Sequence, residues 1–268
     1  MSLAPRVVLV HRHTELEELV ARHGTRGQAA FYLRTRGRRI EDLEARHSEQ
    51  AAAMVAVSSA IPTDWRRGMV ERADLPRFLF GPDDIAVAVG QDGLVANLAK
   101  YLDGQLIIGV NPEPRRNPGV LVRHRPGACA GLLALAVRGG GGGPRDGGPT
   151  AAAPVERLTM VTAETDDGQR LTGLNEIYLG QPTHQTSRYT LRLPDGRGEA
   201  QASSGLIVST GTGATGWCRS AWLERRARFR CPARRKTGWP GSSARPGRHP
   251  RPGPPAPRGP CRPARRSR

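Results

Sequence analysis

The sequence predicts an α/β protein, with a parallel α/β domain first, a β-rich domain second and a tail without regular structure. Three observations support this order. Short apolar runs alternate with helical patterns up to residue 110, which is typical of a parallel sheet. Alternating apolar residues and Asp-Gly turns follow, which is typical of antiparallel hairpins. Residues 221–268 hold ten of the 23 prolines, a density that interrupts helices and strands.

Residue spacing predicts the first elements of the parallel domain, residues 1–121. The apolar run at residues 7–10 predicts a buried strand. Thr14 and Glu17 form a capping box for a helix that reaches about residue 22. Apolar residues at helical spacing predict a longer helix over residues 40–59.

The most polar loop of this domain lies between two further strands. Apolar runs at residues 85–89 and 106–110 predict the strands, and an amphipathic pattern over 94–102 predicts a helix between them. The loop Gly90-Gln91-Asp92-Gly93 directly follows the first of these strands. Because parallel α/β sheets bind ligands at the carboxyl ends of their strands, this loop is a candidate ligand site.

Residues 122–150 are predicted to connect the two domains, through the glycine-rich stretch RGGGGGPRDGG. The β-rich domain is predicted over residues 151–220. It begins with a hairpin over 158–179 that turns at Asp167-Gly168, and an alternating strand near 189–193 and a strand at 205–209 follow.

The basic charge of the chain is concentrated in its tail. The formal net charge is +17, and residues 221–268 supply +14 of it, with 15 basic residues and one acidic residue. This composition predicts a disordered segment. It also allows non-specific binding of nucleic acid at low salt. The tail has three scattered aromatic residues and no recognisable binding module, so nucleic-acid binding is the least favoured functional hypothesis.

Cysteine spacing and hydropathy favour a cytoplasmic protein with free thiols. The spacing of the four cysteines matches no metal site, and no secretory signal is recognised. The longest apolar run, residues 128–137, is too short to span a bilayer. We therefore expect neither a membrane partner nor a metal ion bound by protein ligands alone.

Asp92 has two interpretations from its residue type and position. Flanking glycines allow close approach of phosphates, and a helix N-terminus favours negative charge. An Asp at such a place can accept a proton from a substrate hydroxyl. Alternatively, Asp92-Gly93 makes a turn and caps the next helix. The loop alone favours the turn.

Two later motifs also combine polar groups with strands. Asn175-Glu176 offers an amide beside a carboxylate, which suits a ribose or an amide-bearing ring, or else forms the polar edge of a hairpin. The run STGTGATGWCRS, residues 209–220, follows an apolar strand and combines hydroxyls with glycines. Trp217 can stack on a base, or fill the core beside a loose loop.

These three motifs, in this order, resemble the NAD kinase family. That family carries GGDG, then an NE pair, then a strand that runs into TPTGSTAY. The counterparts here are the loop at 90–93, the pair Asn175-Glu176 and residues 210–217. Residues 108–111, IGVN, are similar to the family's strand after the GGDG helix. The resemblance covers residues 5 to 220.

The resemblance implies an N-terminal α/β domain, a C-terminal β-sandwich domain and a kinase reaction between them. The γ-phosphoryl group of ATP, or of polyphosphate in some members, moves to the adenosine 2′-hydroxyl of NAD, with Mg²⁺ on the phosphates. Asp92 is then the catalytic residue that orients and deprotonates this hydroxyl. The implied nucleotide-binding residues are Gly90, Gly93, Asn175, Glu176, Thr215, Gly216, Trp217 and Ser220. Members of this family are commonly homo-oligomers.

The chain departs from the family pattern inside the motifs. Gln91 replaces the second glycine of GGDG, Leu94 a threonine, Ser204 an aspartate, Gly211 a proline and Trp217 a tyrosine. These departures indicate a divergent branch whose acceptor need not be NAD.

The larger departure follows Ser220, where the family's strand pattern gives way to Arg, Pro and Gly. We therefore expect an incomplete β-sandwich, with the family's continuation truncated or frameshifted. Three hypotheses follow: an active NAD kinase, a catalytically impaired nucleotide-binding homologue, and a nucleic-acid binder acting through the tail.

Overall fold

The computed structural model describes residues 4–139 and 155–224, all within one compact unit, Met1–Lys236. Its main sheet has four parallel strands in the order β2-β1-β3-β4. The strands are β1 (Arg6–His11), β2 (Arg66–Glu71), β3 (Ile85–Val89) and β4 (Leu106–Val110). This confirms the predicted parallel α/β architecture. β1 lies in the interior of the sheet, so the strand order reverses between β1 and β3.

Six α-helices are found among the described residues. They are α1 (Glu15–His23), α2 (Arg26–Arg34), α3 (Ile40–Ser59), α4 (Asp92–Leu98), α5 (Cys129–Gly139) and α6 (Trp217–Glu224). The capping box of α1 is present as predicted, with Thr14 and Glu17 bonding each other's backbone N–H groups. None of these helices is long and apolar enough to cross a membrane.

The core lies on both faces of the parallel sheet, because side chains of a strand alternate between its faces. Val7 and Leu9 of β1 belong to one apolar cluster, which includes residues of α3 and α5. Val8 and Val10 belong to a second cluster, which includes residues of α4. These layers hold the carboxyl ends of β1, β3 and β4 at one edge. Cys129 is buried in the first cluster, and burial raises the pKa of its thiol to about 11.

Within residues 155–224, the β-rich part contains three separate two-stranded antiparallel ladders. The strands are β5 (Val161–Glu164), β6 (Arg170–Gly173), β7 (Glu176–Gly180), β8 (Ser187–Arg192), β9 (Gly198–Ser203) and β10 (Gly205–Ser209). The pairs are β5 with β6, β8 with β9, and β7 with β10. The predicted hairpin over 158–179 is therefore shorter than expected. Its second half divides into β6 and β7, and β7 pairs with a strand much later in the chain.

Some expectations concern residues outside the described ranges. The glycine-rich stretch is described only to Gly139, and the predicted disorder of the tail lies beyond Glu224. Regular structure continues past Ser220, since α6 reaches Glu224. The division into domains at residues 122–150 stays a prediction.

Candidate functional site

A crevice of about 170 Å³ opens at the carboxyl edge of the sheet, where the strand order reverses. The loops after β1, β3 and β4 border it, together with α1 and α3. Gly90 borders it, and its polar lining comprises Arg12, His13, Thr14, Glu15, Glu18, Arg46, Gln50, Gln91, Asn111 and Glu113. Crevices at such reversal points are the usual ligand sites of open α/β sheets.

Long-range contacts hold the walls of this crevice. Arg46 Nε donates to both oxygens of the buried Glu113, each at 3.2 Å. Gln50 Nε2 donates to the carbonyl oxygen of Val89 at 2.9 Å and fixes the end of β3. The pKa of Glu15 is lowered, chiefly by its hydrogen bond from Arg38 and in part by the charges of Arg46 and Arg12. Sequence reasoning missed Arg46 and Glu113, because only the fold brings these distant residues together.

Asp92 lies at the first residue of α4, directly after the loop that follows β3. Its Oδ1 accepts hydrogen bonds from the backbone N–H groups of Val120, Leu121 and Val122, at 3.0, 2.7 and 2.9 Å. Its Oδ2 accepts one further bond from Val120 N–H at 2.8 Å. The carboxylate is therefore tied to a segment 28 to 30 residues away rather than to the N–H groups of its own helix. This differs from the simple helix-cap interpretation.

The two glycines beside Asp92 have different surroundings. Gly90 is buried, and a Cβ there would lie 3.2 Å from Leu94 Cδ2. Gly93 is exposed, with no atom within 4 Å of the position of an added Cβ. Packing thus favours glycine at 90 and leaves open space at 93.

The fold brings the Asn175-Glu176 pair and the run at residues 209–220 together, because β7 and β10 pair side by side. Glu176 is opposite Ser209 in this ladder. Thr210 N donates to Asn175 O at 2.9 Å, and Thr210 Oγ1 donates to Leu174 O at 2.6 Å. The turn then passes so close to the Asn175 carbonyl that a Cβ on Gly213 would overlap it.

Glu176 has the most unusual side chain in this second group. Its Oε2 is buried and has no hydrogen-bond partner among residues 4–139 and 155–224. Burial raises the pKa of its carboxyl group. A Cβ on Gly216 would lie 3.7 Å from this oxygen, which places the exposed backbone of Gly216 beside it. A buried acceptor without a donor is suited to a ligand hydroxyl.

Trp217 is half exposed, so it does not fill the core. Its ring centroid lies 5.1 Å from that of Tyr178, at an angle of 47° between the rings. Tyr178 is fixed by a hydrogen bond from its hydroxyl to Ser204 O at 2.6 Å. Ser220 is exposed on α6, and Thr215 lies in the short 3-10 turn before Gly216.

The predicted site residues therefore form two groups. Gly90, Asp92 and Gly93 lie at the edge of the parallel sheet, and the other predicted residues lie around β7, β10 and the start of α6. Arg123 directly follows residues 120–122, which bind Asp92, and its Nη1 lies 3.3 Å from Glu156 Oε2. This ion pair links that segment to the later part of the chain. Among the described residues, no three His, Cys, Asp or Glu side chains converge as a metal site.

A parallel sheet with a polar crevice at its order reversal defines an open α/β protein with a candidate ligand site at that crevice. Comparison with known proteins makes this class more specific. A protein from Rattus norvegicus, "NAD kinase 2, mitochondrial", is 29% identical over 167 residues, which cover 50% of this chain and 39% of the relative. The resemblance to the NAD kinase family is thereby confirmed, although the chain spans well under half of this relative's length.

A solved structure is also similar to this chain. It is an NAD kinase from Archaeoglobus fulgidus in complex with ATP, with 20% identity and a TM-score of 0.41, over 81% of this chain and 65% of that one. No family model matches the chain.

Proposed function

We propose that this protein is an NAD kinase-like phosphotransferase, which moves the γ-phosphoryl group of ATP to the 2′-hydroxyl of NAD and so makes NADP. The observation that carries the proposal is the buried, unpartnered Oε2 of Glu176 beside the exposed Gly216 backbone. A ribose hydroxyl supplies the donor that this acceptor lacks. Asn175, at the same strand end, adds an amide that can both donate and accept.

The surroundings of Glu176 suit the rest of a nucleoside. The face of the β7–β10 ladder that carries Glu176 also carries Tyr178, two residues along the strand. Trp217 contacts Tyr178 and is half exposed, so an aromatic surface borders the acceptor. Aromatic surfaces bind bases by stacking. The proposed adenosine site therefore combines this surface with Gly216, Thr215 and Ser220.

Asp92 is the proposed catalytic residue. Its Oδ2 accepts one backbone hydrogen bond and keeps an acceptor position for a ribose hydroxyl, since a carboxylate oxygen accepts two. In phosphoryl transfer, the residue that accepts the hydroxyl proton mainly orients the nucleophile. The fixed carboxylate fits this task.

The sheet-edge crevice is the proposed site of the ATP phosphates. Arg12 and His13 line it from the β1 loop, and the backbone of Gly90 lines it from the β3 loop. The carboxylates of Glu15 and Glu18 also line it, and oxygen ligands of this type suit Mg²⁺. The ion would neutralise charge on the phosphates during transfer. The protein's own contribution is to bind and orient the two nucleotides.

The direct test is NADP formation from ATP, NAD and Mg²⁺ by the purified full chain, measured with an NADP-specific dehydrogenase. We expect NADP to form, with a rate that depends on ATP and on NAD. Polyphosphate in place of ATP tests the phosphate donor. NAD binding in calorimetry with no NADP formed from either donor would contradict the phosphotransferase and favour the impaired homologue.

The substitution Glu176→Gln is expected to weaken NAD binding about tenfold while it stabilises the free protein, because a charged acceptor is lost and a desolvated charge is removed. Burial raises the pKa of Glu176 above the ordinary value of 4.5. Deprotonation of the buried carboxyl group destabilises the folded wild type. As pH rises from the ordinary pKa through the raised pKa, the free energy of unfolding of the wild type therefore falls relative to that of the variant. Calorimetry and urea unfolding between pH 4 and 8 measure both effects.

Glu199→Gln is the matched control for this prediction, because Glu199 is exposed on β9. It should change neither NAD affinity nor the pH dependence of stability. Equal NAD affinity of Glu176→Gln and the wild type would remove Glu176 from the site.

One observation favours the impaired homologue as a second candidate. The β-rich part consists of two-stranded ladders, and isolated ladders of that size are marginally stable in water. Leu179 and Val208 lie on the face of the β7–β10 ladder opposite Glu176, and both are about half exposed. A β-rich part held only by such ladders would bind nucleotides weakly and without turnover. Nucleic-acid binding through the tail rests on residues outside the described ranges.

A further inference from the structure

We infer that the backbone of residues 119–122 forms a cradle that positions the Asp92 carboxylate, and that this segment is a positioning element of the proposed phosphoryl transfer. The inference rests on the proposed function for its catalytic consequence. The contact itself does not depend on that function. The donors of the cradle are backbone N–H groups, which residue type does not specify.

The cradle sets the orientation of both carboxylate oxygens. Three consecutive N–H groups converge on Oδ1 at 2.7 to 3.0 Å, and one of them is shared with Oδ2 at 2.8 Å. This asymmetric pattern defines the rotation of the carboxylate about its side chain. Successive N–H groups that point at one anion form a strong anion-binding concavity. Oδ1 is fully used by the cradle, and Oδ2 remains the oxygen with capacity for a substrate hydroxyl.

Two glycines allow the cradle to reach Asp92. Gly119 has φ +67°, a conformation that favours glycine, and a Cβ there would lie 2.5 Å from Val122 O. Gly109, in β4, lies so close to the next segment that a Cβ would overlap the carbonyl oxygen of Leu121. A side chain at either position would push the cradle away from the carboxylate. Neither glycine is part of the predicted nucleotide-binding set.

The cradle is anchored to the body of the fold at its carboxyl end. His124 N donates to Gly109 O at 3.2 Å, and Asn111 N donates to His124 O at 2.8 Å, so the segment runs beside the end of β4. Val122 is buried in the same apolar cluster as Leu94 and Leu98 of α4. The cradle and the helix that carries Asp92 are therefore packed together. A fixed position matters because displacement of a reacting group by about 1 Å can reduce turnover about 100-fold.

Hydrogen exchange in the full chain tests the contact without any need for activity. Because Asp92 accepts all three N–H groups, Asp92→Ala should speed exchange of the Val120, Leu121 and Val122 amides about tenfold or more. Asp92→Asn keeps one acceptor oxygen and should give an intermediate effect. Amides of β1 should be unchanged, and so should all amides in Asp103→Ala, the control at the other end of the same helix-to-strand segment. Equal exchange of the three amides in wild type and Asp92→Ala would overturn the cradle.

Turnover tests the positioning role. Gly109→Ala and Gly119→Ala should each lower kcat for NADP formation about tenfold to 100-fold, with KM for NAD changed less than about twofold. Gly127→Ala is the matched control, because a Cβ there meets no atom within 4 Å, and it should leave both constants unchanged. A merely structural role would lower the yield of folded protein and leave the kcat of the folded fraction as in the wild type. That result would overturn the positioning role.

The hydrogen-exchange and turnover experiments together separate the cradle from the proposed function. If the wild type makes no NADP, the phosphotransferase proposal fails, and hydrogen exchange still decides whether the cradle holds Asp92. If the wild type makes NADP and the glycine variants match it, the function stands and the positioning role fails.

Discussion

Asp92→Asn should reduce NADP formation about 100-fold or more, the range that removal of a positioned proton acceptor usually gives. The amide nitrogen of Asn cannot accept a hydroxyl proton. It would also be placed against an N–H donor, because both carboxylate oxygens now accept bonds from the 119–122 backbone. NAD affinity should change little, since Glu176 and Gly216 belong to the other group of residues. A coupled NADP assay and calorimetry with NAD measure the two quantities.

Asp103→Asn is the matched control for Asp92→Asn. Asp103 lies just beyond the helical segment that begins at Asp92, is exposed, and takes part in the local turn through its backbone N–H. It should retain wild-type turnover. Turnover by Asp92→Asn at the wild-type rate would contradict a catalytic role. A loss of NAD binding equal to the loss of turnover would contradict the assignment of Asp92 to the transfer step rather than to substrate binding.

The apolar strands of the parallel sheet could be predicted from the sequence, because a strand covered on both faces leaves a continuous apolar run. β3, β4 and α3 begin and end at the predicted residues. β2 was missed because only one of its residues is buried and its sequence, RRGMVE, has three charged residues. α2 was missed because its apolar residues form one continuous run, 29–33, and do not recur at helical spacing.

In the β-rich part, local sequence patterns do not predict the strand bounds or the strand pairing. Residues 171–179 look like one strand, but the chain leaves the β5–β6 ladder at Gly173 and enters β7 at Glu176. A Cβ on Gly173 would meet the backbone oxygen of Glu176 at 2.9 Å, so the two strands meet at a tight bend. Pairing of β7 with β10, some thirty residues later, is a long-range choice that no local pattern contains.

The β7–β10 pairing brings two of the sequence motifs together around Glu176, whereas residue type could not predict what surrounds Asp92. The sequence places the Asp92 carboxylate between two glycines, and a turn residue and a catalytic group are the two interpretations of it. The contact that distinguishes them comes from three backbone N–H groups, which every residue except proline possesses. In the sequence, only Gly109 and Gly119 indicate this contact, because both permit a close approach of backbone.

Gly213→Ala should have the largest effect on the second group of residues. A Cβ at this position would overlap the backbone carbonyl of Asn175 and lie 2.6 Å from Ser209 Oγ. Neither neighbour can move freely, because the Asn175 carbonyl accepts from Thr210 N at 2.9 Å and Ser209 Oγ donates to Asn175 O at 3.2 Å. We expect a loss of about 3 kcal/mol in the free energy of unfolding, at the upper end for overpacking. We also expect NAD affinity to fall tenfold or more, about 1.4 kcal/mol, because the turn carries Gly216 beside Glu176.

Urea unfolding and calorimetry with NAD on the folded protein measure these two effects separately. Gly131→Ala in α5 is the control, because a Cβ there meets no atom within 4 Å and alanine favours a helix. Its stability should equal or slightly exceed that of the wild type, with NAD affinity unchanged. A Gly213→Ala protein that loses stability but binds NAD as tightly as the wild type would separate the turn from the nucleotide site. The unpartnered oxygen of Glu176 would then need a donor other than the ribose of NAD.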